Sequence, residues 1–122
     1  FRKKDSVTVL GRTDEMPLFM KAADVVYTKP GGLTLTEAAV TGCALVLTAP
    51  IPGCETQNRR FFRRHGMCVS GRNIYVQAAA GIRLLKDEKK TEKIMCNQQK
   101  FVARDASLKI YRFIEEKLKR EK

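Results

Sequence analysis

Two adjacent glycines stand in the segment Lys29-Pro30-Gly31-Gly32-Leu33-Thr34-Leu35-Thr36-Glu37, between an apolar run at 24–28 and a helical pattern at 34–40. A strand that turns through glycine into a helix presents free backbone N–H groups at the positive end of that helix, where phosphate groups commonly bind. Glycine permits a positive φ and a close approach of the backbone to a ligand, and we expect both at this turn. A turn that only reverses the chain direction is the alternative.

Strand and helix patterns alternate on both sides of this turn. The patterns predict four strands, at 6–10, 24–28, 44–48 and 67–69. They also predict helices: a first one that Asp14 caps and that runs to 23, and further ones over 34–41, after 53 through about 65, from 73 onward, over about 89–101 and around 110–118. The apolar positions Met16, Phe19, Met20 and Ala23 predict one buried face for the first helix, and Ile74, Ala78, Ile82 and Leu85 line one face of the helix from 73. Alternation of this kind predicts an α/β fold with a parallel, right-handed sheet.

Composition narrows the class of protein. The 122 residues form one domain at most, and no run is long enough to span a membrane. The absence of an initial Met suggests a fragment or a processed chain. The four cysteines form no CxxC pair, which argues against a disulfide scaffold or a zinc site and for reduced thiols in the cytosol.

The charge balance points to an anionic partner. Lys and Arg number 24 against 13 Asp and Glu, a formal net charge of +11. No nucleic-acid-binding motif is present, so nucleic acid is not expected. Four arginines share one side of a predicted helix near two phenylalanines, a pattern suited to an anionic membrane surface: Arg59, Arg60, Arg63 and Arg64. Solvated helix faces are the alternative.

Three loops are expected at the carboxyl edge of the sheet, at 11–15, 29–34 and 50–58. Ligands of open α/β sheets bind at that edge, and a nucleotide with its phosphates on the helix N-terminus is the natural ligand. The motifs GxGxxG and GxxxxGK(S/T) are both absent, so the sequence indicates neither a dehydrogenase nor an ATPase.

Three ordered motifs resemble family 28 glycosyltransferases, above all the diacylglycerol glucosyltransferases and monogalactosyldiacylglycerol synthases: Gly11-Arg12-Thr13-Asp14-Glu15-Met16, Thr28-Lys29-Pro30-Gly31-Gly32-Leu33-Thr34-Leu35-Thr36-Glu37-Ala38, and Pro50-Ile51-Pro52-Gly53-Cys54-Glu55-Thr56-Gln57-Asn58. The resemblance covers roughly 7–70 and implies a GT-B fold, in which two Rossmann-like domains enclose the active site. Residues 1–122 would be a partial C-terminal donor-nucleotide-binding domain, without the N-terminal acceptor domain and the first two strands. Those strands would lie between 6–10 and 24–28, so we expect a gap in the sheet, re-pairing of its strands, or self-association of the fragment through exposed edges.

The resemblance also implies a role for each motif residue in nucleotide binding. Arg12 would cover uracil, and the backbone of Thr13 would read it. Gly31, Gly32, Leu33 and Thr34 would form the diphosphate loop, and Glu37 would accept hydrogen bonds from the ribose hydroxyls. Spacing alone also allows a capping box, in which Thr34 caps the helix and Glu37 bonds back to it.

The third motif would recognise the sugar, through Cys54, Glu55 and Asn58. Cys54 stands where the family commonly has Gln, so a weak thiol replaces an amide. Glu55 has the alternative of favouring its helix N-terminus through the dipole. Lys29 would contact phosphate or remain solvated. Ala44 replaces a common Pro, a change expected to affect the turn.

The resemblance therefore implies a UDP-sugar:lipid hexosyltransferase, cytoplasmic and peripheral to the membrane, with diacylglycerol or a related lipid as acceptor. The family's base lies in the acceptor domain, so no catalytic residue is assigned and the fragment alone is expected to be inactive. UDP-sugar is the donor substrate. No Asp-x-Asp motif is present, so neither a metal nor another cofactor is expected. The alternative is a non-catalytic nucleotide-sugar-binding subunit that needs a separate acceptor-domain partner.

Overall fold

The computed structural model describes residues 6–120. Over this range the chain forms α1 (Met16–Ala22), β1 (Val25–Thr28), α2 (Gly32–Thr41), β2 (Ala44–Leu47), α3 (Cys54–Arg64), β3 (Val69–Ser70), α4 (Ile74–Lys86), α5 (Glu88–Phe101) and α6 (Ala106–Arg120). The strands form a parallel sheet in the order β1-β2-β3. The predicted α/β fold with a parallel sheet and flanking helices is confirmed.

The central strand β2 organises the core. All four of its residues are buried, as predicted for a parallel strand covered on both faces. Leu45 and Leu47 pack with α2 and α3, whereas Ala44 and Val46 pack on the other side with Leu84 of α4 and Ile94 of α5. This alternation follows from the two-residue period of a strand, and it places helices on both faces of the sheet.

Glycines end two helices where the sequence predicts. Gly42 has φ 74°, and its N–H donates to the Ala38 carbonyl at 3.0 Å, closing α2. Gly66 has φ 63° and follows α3. Both conformations are left-handed and favour glycine over any other residue.

The cap predicted for α1 is wrong. Its N-cap is Glu15, one residue after Asp14, and no side chain caps the helix. The Thr13 hydroxyl instead accepts a hydrogen bond from the Glu15 N–H at 3.1 Å, which turns the chain into the helix one residue later.

The strand predicted at 6–10 is also wrong. Residues 7–10 have no regular structure, and Val7 and Val9 are 52% and 78% exposed. A strand needs a partner for its backbone groups, and β1 pairs only with β2 among the described residues. The edge of β1 that faces away from β2 is therefore unpaired within the described residues. The fourth predicted strand forms later than expected, at Val69–Ser70, while Met67 and Cys68 are buried before it.

Two predicted apolar helix faces are largely exposed. In α1 only Met20 is buried, whereas Met16 and Phe19 are 47% and 41% exposed. All three residues line a groove of about 410 Å³ between α1 and β1. In α4 the predicted apolar residues share a face, but Ile74 and Leu85 are 72% and 61% exposed.

The face of α4 that packs inward is the one that permits a close approach to the sheet. It carries Gln77, Gly81 and Leu84. The Tyr27 hydroxyl donates to the Ala78 carbonyl at 3.3 Å and occupies the space that a Cβ on Gly81 would fill. Apolar spacing alone does not reveal this requirement for a small residue.

The C-terminal helix α6 forms where predicted and has no buried residue. Over residues 6–120, no helix combines the length and the apolar composition that crossing a membrane requires.

Candidate functional site

The glycine turn leads directly into α2. Gly31 is the N-cap with φ −71° and ψ 137°, and Gly32 is the first helical residue. The expectation of a positive φ here is wrong, because among the described residues only Gly42, Gly53 and Gly66 have one. A Cβ on Gly31 would meet nothing within 4 Å, and one on Gly32 would meet only Asn58 Nδ2 at 3.7 Å. The fold itself therefore tolerates side chains at both glycines, and the space above them is open.

The first turn of α2 leaves backbone donors free. The first helical hydrogen bond runs from the Leu35 N–H to the Gly31 carbonyl at 3.0 Å, and the Gly31 N–H donates to the Lys29 carbonyl at 2.8 Å. The N–H groups of Gly32, Leu33 and Thr34 precede the first helical bond, so the helix offers them no acceptor. Three amides at the positive end of a ten-residue helix form a site for a negative charge.

The capping box predicted from Thr34 and Glu37 does not form. Gly31 is the N-cap, so Thr34 already lies in the first helical turn and cannot cap it. The helix begins two residues earlier than predicted because Gly31 is its N-cap and Gly32 is its first helical residue. Glu37 is exposed, and its carboxylate has no hydrogen bond or ion pair within residues 6–120. That carboxylate lies one turn along the helix from Thr34 and is available to a ligand.

Two of the three predicted loops meet at this edge. Asn58 Nδ2 of α3 donates to the Pro30 carbonyl at 3.1 Å, and Lys29 Nζ lies 3.0 Å from Glu55 Oε1. Below them, the Thr48 N–H donates to the Thr28 carbonyl at 2.9 Å. The start of α3 is therefore fastened to the glycine turn by one hydrogen bond and one ion pair.

Glu55 is the best-anchored carboxylate of the site. The Ile51 N–H donates to its Oε2 at 2.7 Å, Lys29 pairs with its Oε1, and the side chain is 15% exposed. The Ile51 N–H, followed by Lys29, holds the pKa of Glu55 below its usual value. Glu55 is ionised at neutral pH, with lone pairs left for hydroxyl donors. Sequence reasoning missed the pair with Lys29, since the two residues lie far apart in sequence and no local pattern joins them.

Cys54 opens α3 at the surface. Gly53 before it has φ 112°, a conformation that requires glycine, and Cys54 itself is exposed. The thiol is thus open to solvent at the first residue of α3.

The loop at 11–15 has no hydrogen bond or ion pair with the loops at 29–34 and 50–58 within the described residues. Arg12 is exposed and Thr13 is partly exposed, and neither forms a hydrogen bond or ion pair with 29–34 in the described chain. His, Cys, Asp and Glu do not gather into a metal-binding group anywhere over 6–120.

The family described as glycosyl transferases group 1 matches residues 1–101. The chain belongs to this family. No solved structure gives a significant match.

Curated relatives carry the name processive diacylglycerol beta-glucosyltransferase. The protein from Bacillus pumilus (strain SAFR-032) is 33% identical over 95 residues, which are 78% of this chain and 25% of the relative. The protein from Bacillus subtilis (strain 168) is 38% identical over 65 residues, 53% of this chain and 17% of the relative. That from Bacillus cereus (strain ZK / E33L) is 35% identical over 86 residues, 70% of this chain and 22% of the relative.

These matches confirm the resemblance to diacylglycerol glucosyltransferases, although the matching family is described as group 1 and not as family 28. The matched region spans a quarter or less of each of these relatives.

Proposed function

We propose that this chain is the partial C-terminal donor-binding domain of a hexosyltransferase that transfers sugar from a UDP-sugar to a membrane lipid such as diacylglycerol. The observation that carries the proposal is the open space above Gly31 and Gly32. Neither glycine is required by backbone conformation or by packing within the chain. Their lack of side chains is explained if a diphosphate approaches the three free amides of α2 closely. The names of the relatives support the lipid acceptor.

In this proposal the diphosphate of UDP accepts hydrogen bonds from Gly32, Leu33 and Thr34. When the bond between sugar and UDP breaks, negative charge grows on the β-phosphate. Amides already pointing at that phosphate and the positive end of α2 stabilise the charge without reorganising. No metal or other cofactor is part of the proposal, because these donors take the place of a cation.

The other motif residues surround this diphosphate position. The unengaged carboxylate of Glu37 accepts hydrogen bonds from the ribose hydroxyls, and Arg12 with the Thr13 backbone holds uracil. On the other side, Cys54 and Glu55 meet the sugar. Asn58 also meets the sugar, through its Oδ1, while its Nδ2 donates to the Pro30 carbonyl.

The acceptor domain supplies the base, so this chain alone binds the donor and does not transfer the sugar. The whole enzyme is cytoplasmic and peripheral to the membrane, where the excess of basic residues attracts anionic lipid.

Calorimetric titration of the chain with UDP, ADP and three UDP-hexoses tests this function. We expect UDP and at least one UDP-hexose to bind, and ADP to bind more weakly. Binding of UDP by a full-length chain that transfers sugar only when a separate acceptor-domain protein is added would favour the non-catalytic subunit. Equal affinity for UDP and ADP, or no binding of either, would contradict the proposal.

A further inference from the structure

Four arginine side chains of α3 line a groove beside this helix. This groove of about 390 Å³ follows one side of the helix, and we call it the arginine groove; it is lined by Pro50, Thr56, Arg59, Arg60, Arg63 and Arg64. None of these six residues is among those proposed to bind UDP. The proposed donor binding therefore leaves the four arginines of the groove unexplained, although the groove begins at Pro50 and Thr56 of the third motif.

The arginines of the groove have no acidic partners. None of the four forms an ion pair within residues 6–120, and the one carboxylate in the first turn of α3, Glu55, is paired with Lys29. Arg59 and Arg63 are four residues apart, as are Arg60 and Arg64, so that like charges face each other along the helix and destabilise it. A bound anion would remove this repulsion.

The helix dipole explains only half of this arrangement. Arg63 and Arg64 lie in the last turn of α3, where cations favour the helix C-terminus. Arg59 and Arg60 precede the last turn and lie near the middle of the helix, where the dipole has little effect on a charge. Their position on the same side as the other two requires a different reason.

Arg59 supplies an independent sign that a partner is missing. Its Nε is buried and has no hydrogen-bond partner among the described residues. A buried N–H without an acceptor is unfavourable and uncommon in native proteins. The side chain that carries this unsatisfied donor also lines the groove.

We infer that the arginine groove binds a phosphate group, carried either by a soluble phosphorylated molecule or by a lipid headgroup. The planar guanidinium group donates two parallel hydrogen bonds to phosphate and stays charged at every physiological pH. The groove also has the volume of an ordinary small-ligand site. This inference does not depend on UDP binding at α2.

Two arms separate the sources of the phosphate. One arm measures pyrophosphate binding by calorimetry, in a Gly32→Val background so that the glycine turn does not contribute. The other measures co-sedimentation with phosphatidylcholine vesicles that contain or lack phosphatidic acid. Binding of pyrophosphate without binding to the vesicles indicates a soluble ligand. Strong binding to vesicles that contain phosphatidic acid, with weak binding of pyrophosphate, indicates a lipid headgroup.

The variant is Arg60→Gln with Arg64→Gln, because both side chains are exposed and their loss spares the core. The matched control is Lys89→Gln with Lys93→Gln, which removes the same charge from exposed positions four apart on α5. We expect the arginine pair to lose about tenfold or more in affinity, and the lysine pair about twofold or less. Arg60→Lys with Arg64→Lys should recover only part, since lysine keeps the charge but not the paired hydrogen bonds.

Equal losses in the arginine and lysine pairs would overturn the inference, because they would reflect net charge alone. Absence of binding in both arms would overturn it as well. Salt-sensitive binding of RNA or DNA that the arginine pair abolishes, with phosphate binding unchanged, would assign the groove to nucleic acid instead.

Discussion

Lys29 Nζ lies 3.0 Å from Glu55 Oε1, so the residue that precedes the glycine turn is paired with the second residue of α3. The same carboxylate accepts the Ile51 N–H at 2.7 Å. One glutamate thus joins the loop after β1, the loop after β2 and the start of α3. These two contacts hold the carboxylate in a fixed orientation at the start of α3.

The pH dependence of stability should report this glutamate. Its pKa is lowered by the Ile51 N–H and by Lys29, so the folded protein favours the ionised form. The resulting stability is fully present above the ordinary glutamate pKa of about 4.3 and is lost as the pH falls through the lower folded value. Glu55→Gln should therefore lower the melting temperature at pH 7. The difference from the unmodified chain should vanish in acid, and a difference that stays constant down to low pH would contradict the assignment.

The four cysteines should divide into two reactive and two protected thiols. Cys54 and Cys96 are exposed, whereas Cys43 and Cys68 are buried. Burial raises the pKa of Cys68 to about 12, with Arg63 and Arg59 opposing it, and burial also raises the pKa of Cys43. Thiolate is the reactive form, so a disulfide reagent at pH 8 should label two thiols in the native chain and four in denaturant. If Cys68 were labelled as fast as Cys54, the segment just before β3 would be accessible to solvent, which would contradict the burial of this thiol.

Glu37→Gln should weaken UDP and uridine by about 1–3 kcal/mol, the range of a hydrogen bond to a charged group. The melting temperature should stay unchanged, because Glu37 caps nothing in the structure. Calorimetry with uridine and 2′,3′-dideoxyuridine checks the role directly. If the variant keeps its preference for uridine over the dideoxy compound, the ribose hydroxyls bind elsewhere.

Cys54→Gln should change the choice of donor and spare UDP itself. The side chain is exposed at the start of α3, so glutamine fits without overpacking. An added amide contact would touch only the hexose, and the affinity ratio between UDP-glucose and UDP-galactose should shift by several-fold, about 1 kcal/mol. Cys96→Gln, at the exposed thiol of α5, is the matched control. Equal changes for UDP and every UDP-hexose would remove Cys54 from the sugar site.

Local patterns predicted the parts of the fold that local physics controls. The apolar run at β2 is buried on both faces, and the glycines at 42 and 66 end their helices in left-handed conformations. Each of these features depends on a residue and its immediate neighbours. The predictions that failed depend on distant partners or on backbone geometry. Residues 6–10 have β-strand character but no strand to pair with among the described residues. The inward face of α4 includes Gly81, where the Tyr27 hydroxyl occupies the space of a Cβ.

The site shows the same division. The motifs predicted that the glycine turn and the start of α3 lie together, and the bond from Asn58 to Pro30 joins them. They did not predict that Gly31 would become the N-cap, because that depends on its φ and ψ. The pair between Lys29 and Glu55 is a product of tertiary structure, so sequence spacing could not reveal it. Spacing did predict that the four arginines share one side of their helix, but not the groove that they form with Pro50.

The affinity of the Gly32→Val variant for UDP tests most directly whether the glycine turn binds the diphosphate. A Cβ at this position meets only Asn58 Nδ2 at 3.7 Å, so the folded chain should keep its circular dichroism and nearly all of its melting temperature. The branched side chain fills the space above the amides, and losing even one charge-assisted hydrogen bond of about 1.5–3 kcal/mol weakens binding by roughly ten- to hundredfold.

The control is Ala106→Val, which places the same side chain at the exposed first residue of α6. Calorimetry should show UDP affinity lost in Gly32→Val and retained in Ala106→Val, with both variants folded. A folded Gly32→Val chain that binds UDP as tightly as the unmodified chain would contradict the assignment of this turn to the diphosphate.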